Sequence, residues 1–315
     1  MQRAQQIRSV SASPFLKWAG GKNQLLKDIL PRLPQKIGVY YEPFIGGGAL
    51  FFALASERRF QKAVIGDRNP ALVDAYQTVR DDVEALMVHL RAHAAHATDA
   101  DYFYQMRALD PQAMTRVERT ARLLFLNKTC FNGLFRVNRR GQFNVPFGRY
   151  KNPRVLNPGL LRACSAALQG VEIVEGDFEA LAERAGPNDA IYFDPPYVPL
   201  SATSSFTAYD RHPFGRTEHA RLARAYRACL ARGATALLSN SDCEETRKLY
   251  RGLWVETVSA TRAINVVASK RGQVNEVLVV GRRRAAPALR RAGASGHAAS
   301  SSRRSRGGAA TSAGG

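Results

Sequence analysis

The sequence predicts an α/β protein, a doubly wound and mostly parallel sheet flanked by helices, with a helical and β-hairpin segment inserted into it. Three features carry that prediction. Short apolar runs at 39–44, 62–66, 171–175, 191–193 and 234–239 read as buried strands, with helical patterns between them. Gly46-Gly47-Gly48 joins the first of these runs to an apolar helix at 49–55. Residues 128–154 then break the pattern with seven basic residues and no acid.

Residues 1–13 are polar and are expected to be a flexible N-terminus. Next comes Phe15-Leu16-Lys17-Trp18-Ala19-Gly20-Gly21-Lys22, leading into a helix at about 23–30. The glycine pair lets backbone approach a ligand, Trp18 offers a stacking face, and Lys22 can meet a carboxylate. A plain loop-to-helix junction explains the same residues, and the spacing is not that of a P-loop.

Strand 39–44, the glycine turn and helix 49–55 form the first half of a nucleotide-binding unit. The second strand supplies the other half and ends in Asp67, 21 residues after Gly46. An acid at that place bonds ribose hydroxyls; the alternative is a turn residue ahead of the helix cap at Asn69-Pro70. The glycines lack the G-x-G-x-x-G spacing, and Glu42, just before the turn, repels a pyrophosphate but welcomes a cationic amino group. A nucleoside carrying an ammonium in place of phosphates fits these residues, and S-adenosyl-L-methionine is such a molecule. Phe44, Gly46 and Gly48 belong to the same expected pocket.

Helices are expected at 70–98, 102–109 and 115–129. His89, His93 and His96 share one helical face, but with alanines between them and no carboxylate partner they read as an exposed face, and no metal site is expected. In the basic segment, Phe131, Phe135, Phe143, Phe147 and Tyr150 are interleaved with arginines and lysines, and Asn138-Arg139-Arg140-Gly141 supplies a hairpin turn. Arginine and the amides of Asn132, Asn138, Gln142 and Asn144 are side chains that read base edges, while lysine and arginine also hold phosphates. An aromatic-rich, acid-free run of this kind points to a nucleic-acid surface.

A helix at 158–168 and the strand 171–175 follow, closed by Gly176-Asp177-Phe178, where Asp177 either caps the next helix or touches the cofactor's adenine. The strand 191–193 ends in Asp194-Pro195-Pro196-Tyr197. An acidic acceptor, a carbonyl on a stiff proline turn and an aromatic face suit a planar group bearing an NH2. Residues 199–215 are expected to close over a substrate; helix 217–231, a short helix at 244–249 and strands near Val255 and Val277 complete the sheet.

A net charge of +20 and a pI near 10.4 favour a polyanionic partner. Eight of those charges lie after residue 281 in an Arg/Ala/Gly/Ser tail expected to be disordered, which leaves +12 on the body. Four scattered cysteines form no C-x-x-C pair and suit a reduced cytoplasm, and no 18-residue apolar span is present to cross a membrane.

Phe15-to-Lys22, Glu42-Pro43-Phe44-Ile45-Gly46-Gly47-Gly48, the basic insert and Asp194-Pro195-Pro196-Tyr197 occur in an order that resembles adenine-specific DNA methyltransferases of the Dam type, in the subgroup with its recognition domain between the cofactor and catalytic motifs. The resemblance covers about 14–281 and is most specific in 144–150, 199–203 and 206–209. It implies a Rossmann-like catalytic domain at 14–79 and 156–281, a target-recognition domain at 80–155, and a tail from 282 with no family counterpart. It further implies that Trp18, Lys22, Asp67 and Asp194 contact S-adenosylmethionine, with Glu42, Phe44, Gly46, Gly48, Asp177 and Phe178 shaping that pocket. Lys17, Asn132, Leu134, Arg136, Pro146 and Tyr150 fall at positions that read GATC in double-stranded DNA, and Arg139 holds phosphate beside them. Phe135 departs from the enteric enzymes, where its counterpart is smaller. A monomer without metal is expected.

Adenine N6 is a poor nucleophile because its lone pair is delocalised into the ring. Hydrogen bonds to the Asp194 carboxylate and the Pro195 carbonyl favour a pyramidal nitrogen, and Tyr197 stacks on a base flipped from the duplex. Methylation of RNA or of a protein glutamine uses the same tetrapeptide, but the insert argues for DNA. A catalytically idle DNA-binding protein is disfavoured by the intact Trp18, Lys22, Asp67 and Asp194.

Overall fold

The computed structural model describes residues 10–138, 140–199, 214–261 and 273–281. The chain enters through a 3-10 turn at Lys22–Gln24, the short α1 (Leu26–Ile29) and a second 3-10 turn at Leu30–Arg32. The single helix expected at 23–30 is thus broken into three pieces. Pro31, which has no N–H to donate, sits in the last of them.

Among the described residues seven strands build the sheet: β1 (Ile37–Glu42), β2 (Phe60–Asp67), β3 (Glu172–Glu175), β4 (Ala190–Phe193), β5 (Thr235–Ser241), β6 (Trp254–Thr261) and β7 (Gln273–Gly281). Their order is β3-β2-β1-β4-β5-β7-β6; the first five are parallel and β7 runs antiparallel between β5 and β6. Because β1 leads outward to β2 on one side while β4 leads to β5 on the other, the topology switches between β1 and β4. Ligands of open α/β sheets bind at that crevice, beyond the carboxyl ends of the strands.

Alternation along each strand assigns its side chains to two cores. Tyr40, Ala63, Ile65, Tyr192 and Leu237 enter one, against α2 (Ala49–Ser56), α3 (Pro70–Asp81), α4 (Val83–Ala94), α5 (Ala100–Ala108), α6 (Arg116–Thr129) and α7 (Pro158–Leu168). Tyr41, Val64, Ile191, Phe193 and Leu238 enter the other, against α8 (Phe178–Arg184) and α9 (Arg216–Ala231). The short α10 (Glu244–Leu249) precedes β6. The first core is continuous from the sheet out to Phe103, Phe125, Phe135 and Phe143, so the helices of the insert pack as part of the same body.

Local signals account for the helix limits. Asn69 caps α3, accepting from the Ala71 N–H at 3.0 Å with Pro70 in the first turn, and Thr115 with Glu118 forms a capping box at α6. The helical run expected over 70–98 breaks at Asp82, whose backbone leaves the helix (φ −130°). The expected exposed histidine face is also different. His93 donates to or accepts from the Tyr102 hydroxyl at 2.7 Å and stacks on Phe125, with ring centroids 5.1 Å apart. Burial, then the neighbouring His89 and His96, push its pKa down to about 4. Among the described residues no group of His, Cys, Asp and Glu is arranged to hold a metal, and no helix is long and apolar enough to cross a membrane.

Candidate functional site

The switch point collects the residues that the motifs singled out. β1 delivers Glu42, β2 delivers Asp67, and β4 delivers Asp194 one residue past its end. Between β1 and α2 the chain turns through Gly46 (φ +45°) and Gly48 (φ +71°). A Cβ at Gly46 would lie 2.8 Å from Trp18 Cδ1, and one at Gly48 would lie 2.5 Å from the Tyr76 hydroxyl, so both conformation and space require glycine. Asp67 bonds the turn from the side, accepting from the Gly46 N–H at 3.3 Å and from the Asn69 N–H at 3.0 Å.

Lys22 and Asp194, 172 positions apart, form an ion pair at 2.8 Å, with the lysine almost wholly buried. The lysine also donates to the Gly20 carbonyl at 2.5 Å, and its ammonium lies 4.9 Å from the centroid of the Tyr197 ring. The other Asp194 oxygen accepts from Ser239 at 2.8 Å. The tetrapeptide is anchored further along by the Tyr197 hydroxyl, which donates to Glu276 at 2.7 Å, and by the Val198 N–H, which donates to Asn240 at 2.9 Å. Ser239, Asn240 and Glu276 carry no motif signal, because a serine or asparagine at a strand end is ordinary in any sheet. Pairing of β4 with β5 and of β5 with β7 brings them to the site.

Glu42 is buried and accepts a hydrogen bond from the Tyr40 hydroxyl at 2.7 Å. Burial, with the nearby Asp194 charge adding to it, pushes its pKa up to about 8 despite that bond. A carboxyl held this way is mostly protonated at neutral pH, and a cation placed beside it would favour its ionised form.

The remaining pocket residues are less open. Trp18 packs on Phe135, with centroids 5.0 Å apart. Phe44 stacks on Phe178 at 5.5 Å, and Phe178 is fully buried, so its ring is part of the core. Asp177 takes the capping alternative: it accepts from the Glu179 N–H at 3.0 Å and pairs with Arg221.

The basic segment forms a second cluster. Its hairpin is short, with isolated bridges Cys130 to Phe147 and Val137 to Phe143. Asn138 closes the turn, accepting from the Arg140 and Gln142 N–H groups. Lys17, Gly133 and Tyr150 meet at its base: Lys17 presses on Gly133 and points its ammonium at the Tyr150 ring, 5.0 Å from the centroid. Asn132 adopts a left-handed backbone (φ +56°), Leu134 is half-buried, Pro146 is exposed, and Phe131 stands exposed beside them. Arg136 sits further along the hairpin, donating to the Asn144 side chain at 2.7 Å and its carbonyl at 3.2 Å. Arg139 and the segments 200–213 and 282–315, which include most of the expected substrate-closing stretch and the tail, lie outside the described residues.

Sequence reasoning missed the residue that fastens this cluster to the body. Asn127, buried in the last turn of α6, accepts from the Lys17 N–H at 2.8 Å and donates to the Lys17 carbonyl at 2.8 Å and the Gly133 carbonyl at 3.1 Å. Its only sequence signal, a glycosylation-like triplet with Lys128 and Thr129, points elsewhere.

Comparison with known proteins identifies the family. The chain is 40% identical over 287 residues to Type II methyltransferase M.MjaIII of Methanocaldococcus jannaschii, spanning 86% of this chain and 99% of that protein. It is 39% identical over 280 residues to Type II methyltransferase M1.LlaDCHI of Lactococcus lactis subsp. cremoris, spanning 87% and 97%. To the DNA adenine methylase of Vibrio cholerae it is 35% identical over 268 residues, spanning 84% and 95%. Residues 18–264 match the family described as D12 class N6 adenine-specific DNA methyltransferase, and the chain belongs to that family.

Proposed function

We propose that this enzyme transfers a methyl group from S-adenosyl-L-methionine to N6 of adenine in double-stranded DNA, with GATC as the target. The observation that carries the cofactor reading is the set of side chains at the switch point. Three carboxyl groups, Glu42, Asp67 and Asp194, end adjacent strands β1, β2 and β4 around a glycine turn, with Lys22 as the cation paired to one of them. Such a set suits a ligand with an ammonium and ribose hydroxyls and repels one with phosphates, so the residues fit S-adenosylmethionine. Glu42 and Asp194 would meet its charged end and Asp67 its ribose, with Trp18, Lys22, Phe44, Gly46 and Gly48 forming the surround. When bound, it supplies an electrophilic methyl group.

The chain's own residues do the rest. Asp194 and the Pro195 carbonyl accept the two amino hydrogens of the target adenine, localising the lone pair on N6. Pro196 stiffens the turn, and Tyr197, its hydroxyl fixed by Glu276, offers a ring for the base to stack on. Reaching that ring requires the adenine to leave the duplex. Lys17, Asn132, Leu134, Arg136, Pro146 and Tyr150 read the site, and Arg139 contributes a phosphate contact, so residues 80–155 act as the recognition region and 14–79 with 156–281 as the catalytic one. The enzyme works as a monomer on cytoplasmic DNA, and the basic tail after 281 adds sequence-independent affinity.

Plasmid DNA methylated by the enzyme and digested with endonucleases that differ only in sensitivity to adenine methylation within GATC tests the target. Selective protection is expected. The higher identity to the two type II methyltransferases favours a second reading, partnership with a restriction enzyme, and protection at some other sequence would support it over a Dam-type role.

A further inference from the structure

We propose that Ser239, backed by Tyr192, is a positioning residue that sets the Asp194 carboxylate for methyl transfer, an inference that rests on reading Asp194 as the acceptor of the adenine amino group. Ser239 and Tyr192 lie on neighbouring parallel strands, β5 and β4, and are 0% and 1% exposed. The Ser239 hydroxyl donates to Asp194 Oδ1 at 2.8 Å, and the Tyr192 hydroxyl lies 2.8 Å from Ser239 Oγ.

The direction of these bonds follows from the proton inventory. An ionised carboxylate only accepts, so the single serine proton points at Asp194, and the tyrosine must then donate to the serine. The Tyr197 hydroxyl, also bonded to Ser239, spends its proton on Glu276 and toward Ser239 can only accept; as a neutral oxygen it is a weaker acceptor for the serine proton than the carboxylate. Donation therefore runs from Tyr192 to Ser239 to Asp194. Lys22 holds the opposite oxygen at 2.8 Å. The carboxylate is clamped at both ends, and its rotation about the terminal torsion, otherwise broad, is restricted. Lys22 packs over the Tyr197 ring, whereas Ser239 and Tyr192 are sealed in the sheet, out of reach of a molecule bound at its edge. Their effect is transmitted only through where Asp194 points.

Steady-state and single-turnover kinetics of Ser239→Ala, Ser239→Thr and Tyr192→Phe test this, together with calorimetric titration of S-adenosylhomocysteine in the absence of DNA. Ser239→Ala is expected to lower kcat about 10- to 100-fold, as misplacement of a reacting group does, while DNA KM and S-adenosylhomocysteine affinity change less than about threefold. Ser239→Thr restores most of kcat, and Tyr192→Phe, which removes one hydroxyl from the second link, loses only a few-fold. Unchanged kcat in Ser239→Ala, or a loss expressed wholly in KM or in thermal stability, overturns the proposal. Asp194→Ala is run in parallel: if it turns over normally, the reading of Asp194 itself fails; if it is inactive while Ser239→Ala is normal, only the role of Ser239 fails.

Discussion

The rim of the sheet and the basic hairpin hold their functional side chains in opposite ways. At the rim, Asp194 sits one residue beyond a fully buried strand, and each of its oxygens already has a partner, Lys22 on one side and Ser239 on the other. In the hairpin, Arg136 is exposed, its guanidinium rests on Asn144 of the same small loop, and the arms are joined by isolated bridges and scattered hydrogen bonds instead of a continuous ladder among the described residues. At the rim the neighbouring strand supplies the restraint, through the Ser239 hydroxyl on Asp194. The hairpin is held chiefly at its base, through Asn127, and on the proposed assignment its exposed side chains would be left to adjust to a groove. On the proposed roles, chemistry and recognition would draw on separate kinds of rigidity.

The contrast is broken most directly at the rim. Asp194→Ala is expected to lower single-turnover methyl transfer by on the order of 10² or more while non-specific DNA binding, measured by fluorescence anisotropy, is retained. Near-normal turnover would show that the rim does not need its carboxylate. At the hairpin, the expected loss is one of discrimination. Arg136→Ala should relax preference at a guanine-containing pair of GATC by about 1–3 kcal/mol, the worth of a bidentate arginine–guanine contact. Sequencing of methylated sites in a randomised library reads this, and an equal loss at every site would reassign Arg136 to phosphate.

A third test concerns pH. Glu42 has its folded pKa raised to about 8 by burial, so the ligand-free fold binds more protons than the unfolded chain above the ordinary carboxyl range. Stability from this group is complete below its unfolded pKa and declines as pH rises through 8, with a slope of at most about 1.4 kcal/mol per pH unit. Denaturant titrations between pH 5 and 8.5 should show the decline in the wild type and a flatter profile in Glu42→Gln. A ligand with an ammonium group should also flatten it, which ties the measurement back to the rim.

Much of the rim was legible because strand ends announce themselves. An apolar run followed by Asp or Glu, or by glycines, places those residues at the carboxyl edge whatever the neighbours are, and Glu42, Gly46, Asp67 and Asp194 all follow that rule. Partnership across the sheet was not legible. Which strand lies beside β4 depends on the order of the whole sheet, so Ser239, Asn240 and Glu276 gave no sign of meeting the tetrapeptide. Breaks inside helical runs were equally silent: Asp82 is an ordinary helix-surface residue until the packing of α3 and α4 demands a bend. His93 misled for a related reason, since its burial comes from α5 and α6, both later in the chain.

The core shared by the sheet and the insert's helices has a consequence for exchange among relatives. Phe103, Phe125, Phe135 and Phe143 belong to the same packed cluster as Tyr40 and Phe51, so α4, α5 and α6 are not a cassette that can be traded intact. A chimera that grafts a foreign stretch at 80–155 would present mismatched side chains to the sheet and pay a packing penalty before any question of sequence preference arose. Grafting only the short loop at 131–150, while keeping Lys17, Asn127 and the buried phenylalanines, would leave the cluster whole. If the proposed recognition role holds, diversification of target sequence in a molecule of this build would be channelled into some twenty residues, while the helices beneath them are tied to the sheet they rest on.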